Sequence, residues 1–167
     1  MTDGIPSSSG HEALEVGFTH LDETGAARIV NVSRKTETLR RALARAVVVV
    51  DDADLDGDVL DAVLGEARLA GIMGAKATSS LIPLCHPIRI DAVTVDFITR
   101  PGSIEVLAGV EALERTGMEM EAMTACALAA LSLVSTLGTP AGSPSISTVE
   151  LVEKSGGRSG DWVRPAS

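Results

Sequence analysis

Residues 120–137 form an almost uncharged segment rich in alanine and leucine, and no other feature of the sequence constrains the fold as strongly. The segment predicts a helix that is apolar on nearly every face. Such a helix would leave a sizeable hydrophobic patch in water if it lay at the surface. We therefore expect it to be buried against a sheet or against a second subunit.

The interior must be built from small and aliphatic side chains, because the 167 residues include one Trp, two Phe and no Tyr. That composition argues against a stacking platform for single-stranded nucleic acid, which needs several aromatic faces. The net charge of -9 argues against a general attraction to nucleic acid or to an anionic membrane. An anionic substrate would therefore need a local cationic pocket.

The cysteine content and the charge pattern favour the cytoplasm. Cys85 and Cys126 are too far apart for a CxxC pair and too few for a disulfide framework. Charged residues recur every few positions, so we expect no apolar run of the roughly 20 residues that a bilayer requires. The N-terminus also lacks the pattern of a secretory signal. We expect a protein with no membrane and no nucleic-acid partner.

Hydrophobic periodicity divides the chain into predicted elements. The predicted strands are residues 28–32, 47–50, 88–99, 104–114 and 145–152. The predicted helices are residues 35–46, 58–64, 66–77 and 120–137, with a possible break at Gly65. From residue 47 onward the order is strand, helices, strand, strand, helix, strand.

That order is the split β-α-β pattern of a ferredoxin-like fold. The fold class is therefore predicted to be α+β, with an antiparallel sheet and helices packed on one face. We expect one domain over residues 18–163, after a flexible tail of residues 1–17 that is rich in Gly, Ser and Pro. The apolar helix also favours an oligomer.

Lysine is rare in this chain, and each of Lys35, Lys76 and Lys154 stands in a polar or glycine-flanked segment. A solvated surface charge is the ordinary interpretation of any one of them. Lys154 is different because it opens a Gly-Gly loop that carries Arg158 four residues later. A loop of that kind can close over a phosphate.

Two further segments carry groups capable of proton transfer. His86 lies between Cys85 and a proline, and it is either a satisfied structural residue or a general acid/base. Cys85 is most simply a small apolar residue. Glu119 and Glu121 fall at the start of the apolar helix, where they either complement the helix dipole or move a proton. A close His pair for a metal is absent from the sequence.

Several segments occur together in one order and carry a family resemblance. They are Thr19-His20-Leu21-Asp22, Ala70-Gly71-Ile72-Met73-Gly74-Ala75-Lys76, LIPLCHP at 81–87, TGMEMEAMTA at 116–125 and KSGGRSG at 154–160. Together they closely resemble the MoaC family, the cyclic pyranopterin monophosphate synthases of molybdenum cofactor biosynthesis. The resemblance runs from about Phe18 to Trp162.

This resemblance implies a ferredoxin-like subunit in a homohexamer, a trimer of dimers with active sites at the dimer interfaces. It implies a lyase that rearranges the cyclised GTP intermediate, 3′,8-cyclo-7,8-dihydroguanosine triphosphate, to cyclic pyranopterin monophosphate and releases pyrophosphate. It implies no cofactor and no bound metal. The residues expected to be catalytic are Lys154, Glu119, Glu121 and His86. Those expected to bind the anionic pterin precursor are Met120, Cys85, Lys35 and Arg158.

The chain also departs from the family pattern. Asn31 replaces an acidic residue, Ser135 and Gly138 replace an aspartate and a lysine late in the apolar helix, and a Lys-Gly-Asp loop is shortened near Gly65. These departures leave an alternative open, a catalytically weakened paralogue that keeps an anion pocket as a binding or regulatory protein. A purely structural assembly protein would explain the apolar helix but not the retained polar motifs.

Overall fold

The computed structural model describes residues 20, 24–50, 57–138, 144–158 and 160–165, so the predicted tail of residues 1–17 lies outside the described residues. The elements are β1 Thr38–Val49, α1 Gly57–Leu81, β2 Ala92–Arg100, β3 Ser103–Glu114, α2 Glu119–Leu137, β4 Ser145–Ser155 and β5 Trp162–Val163.

The strands form one sheet in the order β2-β3-β1-β4-β5, and every pair of neighbours is antiparallel. From β1 to β4 the chain follows the ferredoxin-like order β-α-β-β-α-β, with the short β5 added at the edge. Buried residues alternate along β1 from Ala42 to Val48 and along β3 from Val106 to Ala112, and both strands pack against α2. The α+β class and the predicted hairpin of β2 and β3 are confirmed.

The first strand corrects the prediction of a helix over residues 35–46. Ala42, Ala44, Ala46 and Val48 are buried while their neighbours are more exposed, so the true period is two. Alanine favours helices, but that preference is weak and the packing of the sheet against α2 overrides it. Residues 47–49 are the end of this same strand.

Residues 28–32 do not form the predicted strand. The Val30 carbonyl accepts a hydrogen bond from the His86 ring over 2.7 Å. The Asn31 side chain accepts bonds from the backbone N and the hydroxyl of Ser33 at 2.9 and 2.8 Å. The segment therefore makes side-chain contacts and turns in place of a strand ladder.

The expected break at Gly65 is also absent, since α1 is continuous from Gly57 to Leu81. A glycine inside a helix costs only about 1 kcal/mol relative to alanine. Val63 and Ala67 are buried on either side of Gly65 and fix the helix across it. Packing is therefore sufficient to carry the helix through the glycine.

The two helices lie very close together because α1 presents two glycines to α2. A Cβ at Gly71 would lie 3.0 Å from the Ala125 carbonyl oxygen, and one at Gly74 would lie 2.9 Å from a methyl of Leu128. Glycine at these positions lets backbone approach backbone.

Helix α2 is long and apolar enough to span a membrane by length and composition. Eight of its residues are buried in this domain, where the helix packs on the sheet and on α1. This is the behaviour of a core helix, as the composition of residues 120–137 predicts. The packing brings the first turn of α2 to the end of the sheet where β1 begins and β4 ends.

Candidate active site

A cavity of about 300 Å³ lies at that end of the sheet. Four parts of the chain form most of its wall: the start of β1, the turn before β2, the first turn of α2 and the end of β4. The predicted site residues that line it are Lys35, Cys85, His86, Glu119, Met120, Glu121 and Lys154. Arg158 is exposed and does not line the cavity, so its substrate contact stays a prediction.

Glu119 and Lys154 form an ion pair across the cavity. The Lys154 Nζ donates to Glu119 Oε1 over 2.9 Å, and each side chain is about one-third exposed. Lys154 pairs with Ala42 in the sheet, so its side chain is on the same face as the buried alanines of β1. The pair therefore connects the end of β4 to the first turn of α2.

Glu121 is the most buried charged residue at the site, with only 4% of its surface exposed. The pKa of this carboxyl is raised from 4.5 to about 7, mainly by burial and to a smaller extent by the nearby Glu119 carboxylate, against the effect of a hydrogen bond from its own backbone N–H. A carboxyl with that pKa holds and releases a proton near neutral pH. This property is the one that general acid/base chemistry requires.

His86 is held by a backbone carbonyl, because its Nε2 lies 2.7 Å from the Val30 oxygen. A carbonyl oxygen only accepts hydrogen bonds, so Nε2 carries a hydrogen. In the neutral ring Nδ1 is then the nitrogen that can take a proton. The irregular segment at residues 28–32 thus fixes the orientation and the tautomer of the imidazole.

The turn that carries Cys85 and His86 has a strained backbone. Leu84 has a φ of 64°, in the left-handed region that costs a non-glycine residue roughly 1 kcal/mol. Desolvation, and then the nearby Glu121, raise the pKa of the Cys85 thiol. Cys85 therefore lines the cavity as a protonated thiol, which suits a contact residue better than a nucleophile.

Three arginines that the sequence analysis did not select also line the cavity, namely Arg40, Arg41 and Arg115. Arg40 donates to the backbone oxygens of Glu114 and Arg115 at 3.0 and 3.2 Å. Arg115 pairs with Glu37 at 3.1 Å, and its buried Nε has no partner among the described residues. Arg40 continues the alternating series of Ala42, Ala44 and Ala46, and a period of two over residues 40–48 would have indicated it.

The charge at the cavity is opposite to that of the chain as a whole. Five lysine and arginine side chains line it against two carboxylates, although the full chain carries -9, and Glu111 and Glu37 outside the lining pair with two of the five. The five are Lys35, Arg40, Arg41, Arg115 and Lys154. This is the local cationic pocket that an anionic ligand requires. Within the described residues, no group of three or more His, Cys, Asp or Glu could hold a metal ion.

Comparison with known proteins gives the family. Residues 29–157 match the model of the MoaC family. A protein named cyclic pyranopterin monophosphate synthase from Streptomyces coelicolor is 42% identical over 98% of both chains. One from Thermomicrobium roseum with the same name is 46% identical over 88% of this chain and 93% of its own.

Cyclic pyranopterin monophosphate synthase 1 from Mycobacterium tuberculosis is 45% identical over 91% of this chain and 93% of its own. These relatives are similar over nearly their full length, and the family match includes every predicted site residue except Arg158. The chain therefore belongs to the MoaC family.

Proposed function

We propose that this protein is a cyclic pyranopterin monophosphate synthase of molybdenum cofactor biosynthesis. It would rearrange the cyclised GTP intermediate to cyclic pyranopterin monophosphate and release pyrophosphate. One observation carries the proposal most directly: Glu119, Glu121, His86 and Lys154 line a single cavity with an excess of cations. The family and the names of the similar proteins support the same reaction.

Proton transfer is the first task of such a site, because opening a purine ring and closing a pyrazine ring both move protons. Glu121 suits this role since its pKa of about 7 allows it to give and to take a proton at neutral pH. His86 offers a second group whose Nδ1 changes protonation while Nε2 stays bonded to Val30. The two groups would share the acid and base steps.

Charge neutralisation is the second task, because the precursor is a triphosphate and pyrophosphate leaves. Lys154 supplies one ammonium group, and the Arg115 guanidinium, which pairs with Glu37, lines the same cavity. Charge-assisted hydrogen bonds from such groups to phosphate oxygens are strong. Lys35 would add a further positive charge, while Met120 and Cys85 would contact the rest of the substrate.

We also propose that the protein acts in the cytoplasm as a homo-oligomer, a hexamer made of three dimers. Ser135 and Gly138 correspond to family site positions but lie about 24 Å or more along α2 from Glu119. Groups at those positions could reach a cavity only on a neighbouring subunit. Sedimentation of the full chain tests the assembly, and a monomer at all concentrations would contradict it.

Incubation of the pure protein with the cyclised GTP intermediate tests the reaction, together with rescue of a cell that lacks its own synthase. We expect the pyranopterin and pyrophosphate as products, with activity reduced at least about a hundredfold by Glu121→Gln. Glu153→Gln, a change of an exposed carboxylate on β4, is the matched control. Ligand binding by intact oligomers without any product would instead support the weakened paralogue, which the replacements at Ser135 and Gly138 favour.

A further inference from the structure

Gly117 lies two residues before Glu119, where the chain enters α2. A Cβ at this position would lie 2.5 Å from Glu119 Cδ and 2.7 Å from Oε1, and closer still to Oε2. The Glu119 carboxylate is therefore folded back over the Gly117 backbone. It occupies the volume that any side chain at position 117 would fill.

The same carboxylate accepts the hydrogen bond from Lys154 at 2.9 Å. In the part of the chain that the structure describes, this carboxylate accepts no second hydrogen bond. Within the described residues, the free volume above Gly117 and the Lys154 ammonium are therefore what define the position of Glu119.

We propose that Gly117 is a positioning residue of the proposed active site, and that its missing side chain allows Glu119 to hold Lys154. The predicted effect on catalysis rests on the proposed function. The geometry around Gly117 is independent of that function. Gly117 lacks a left-handed φ, so its backbone accepts an alanine. The atoms that an alanine would meet belong to the far end of one flexible side chain.

An alanine at position 117 should accordingly leave the fold intact and displace the Glu119 carboxylate. Two effects with opposite signs follow. Turnover falls because a catalytic carboxylate has moved, and kcat falls more than KM rises. Binding of an inorganic phosphate anion becomes tighter, because the Lys154 ammonium is no longer neutralised by Glu119 and all of its donors are available. General structural damage would weaken both.

The experiment measures turnover of the cyclised GTP intermediate and calorimetric binding of inorganic pyrophosphate. We expect Gly117→Ala to lower kcat about tenfold or more. We expect it to tighten pyrophosphate binding about three- to fivefold, the range of a partly exposed ion pair. Gly65→Ala is the matched control, because a Cβ at this exposed helical site meets nothing within 4 Å and the site lies outside the cavity.

The Glu119→Ala variant provides a second background, which separates the positioning of the Glu119 carboxylate from other effects of an alanine at position 117. In Glu119→Ala the carboxylate is already gone, so adding Gly117→Ala should change pyrophosphate binding by less than about 1.5-fold. An equal shift in both backgrounds, or weaker binding in the single variant, would overturn the inference. If the unaltered chain shows no turnover, the proposed function fails. Pyrophosphate binding, compared with and without Glu119→Ala, still tests the role of Gly117. Failure of Gly117→Ala to fold in both backgrounds would also overturn the inference about Gly117.

Discussion

The Lys154 ammonium donates a hydrogen bond to the Glu119 carboxylate over 2.9 Å and so connects the end of β4 to the first turn of α2. The pair is partly exposed, and an ion pair of this kind contributes roughly 0–1 kcal/mol to folding. Its position in a cationic cavity gives it a different importance. We therefore expect Lys154 to contribute mainly to ligand binding and catalysis.

Replacing Lys154 by methionine tests that distinction. We expect kcat/KM for the cyclised GTP intermediate to fall about a hundredfold, because one charge contact to the phosphates is lost. We expect the free energy of unfolding to change by less than about 1 kcal/mol. Lys76→Met on the exposed face of α1, outside the cavity, is the control. Unchanged turnover and ligand affinity in Lys154→Met would contradict the phosphate role of this lysine.

Stability should depend on pH through Glu121. Its pKa is raised from 4.5 to about 7, so between these values the folded protein keeps a proton that the unfolded chain releases. The free energy of unfolding must then decrease as the pH rises through this window. Above pH 7 the free energy of unfolding is lower by at most about 3 kcal/mol because of this shift.

Glu121→Gln removes this titration. Urea unfolding at about pH 5 and pH 8 should show a gain in stability of the variant over the parent that increases with pH, towards the ceiling of about 3 kcal/mol. Glu153→Gln on β4 serves as the comparison variant. A gain that is constant across the pH range, or one that shrinks as the pH rises, would mean that Glu121 does not titrate as its burial requires.

Arg40 supports the chain segment that leads into α2, because it donates to the carbonyl groups of Glu114 and Arg115. Arg40→Met should leave these acceptors without that donor and lower the free energy of unfolding by about 1–2 kcal/mol. It should also weaken pyrophosphate binding, since a cation is removed from the cavity. Arg100→Met, which changes an ion pair with Glu105 outside the cavity, should cost less than about 1 kcal/mol and leave pyrophosphate binding unchanged. Equal losses in both variants would argue against a special role for Arg40.

The sequence predicts the second half of the fold well and the first half poorly, and in β1 alanine explains the difference. In β3, branched residues such as Ile104, Val106 and Val110 alternate with other residues and identify the strand. In β1, Ala42, Ala44 and Ala46 take the corresponding places, and alanine is itself a helix former. Pairing with β3 and β4 on its two edges and packing against α2 make this segment a strand, and the local sequence specifies none of these contacts.

In the candidate site, residues within short motifs could be predicted from the sequence, and residues placed by contacts between distant segments could not. Glu119, Glu121 and His86 belong to short motifs, so their selection needed no knowledge of the fold. Arg40 and Arg115 do not, because their place at the cavity depends on the register between β1 and β3. Gly117 was visible as a motif residue, but its relation to the Glu119 carboxylate depends on a side-chain conformation that spacing does not give.

The glycines of α1 provide a test of the helix packing that places the site. Gly71→Ala would bring a methyl group within 3.0 Å of the Ala125 carbonyl oxygen and of a Val95 methyl. Neither the α2 backbone nor the sheet can yield easily, so we expect a loss of about 1–3 kcal/mol in the free energy of unfolding. Gly65→Ala in the same helix meets nothing within 4 Å and should instead stabilise the protein by up to about 1 kcal/mol. Chemical denaturation of the two variants measures the contrast, and a stabilised Gly71→Ala would show that α1 and α2 are further apart at Gly71 than the 3.0 Å contact indicates.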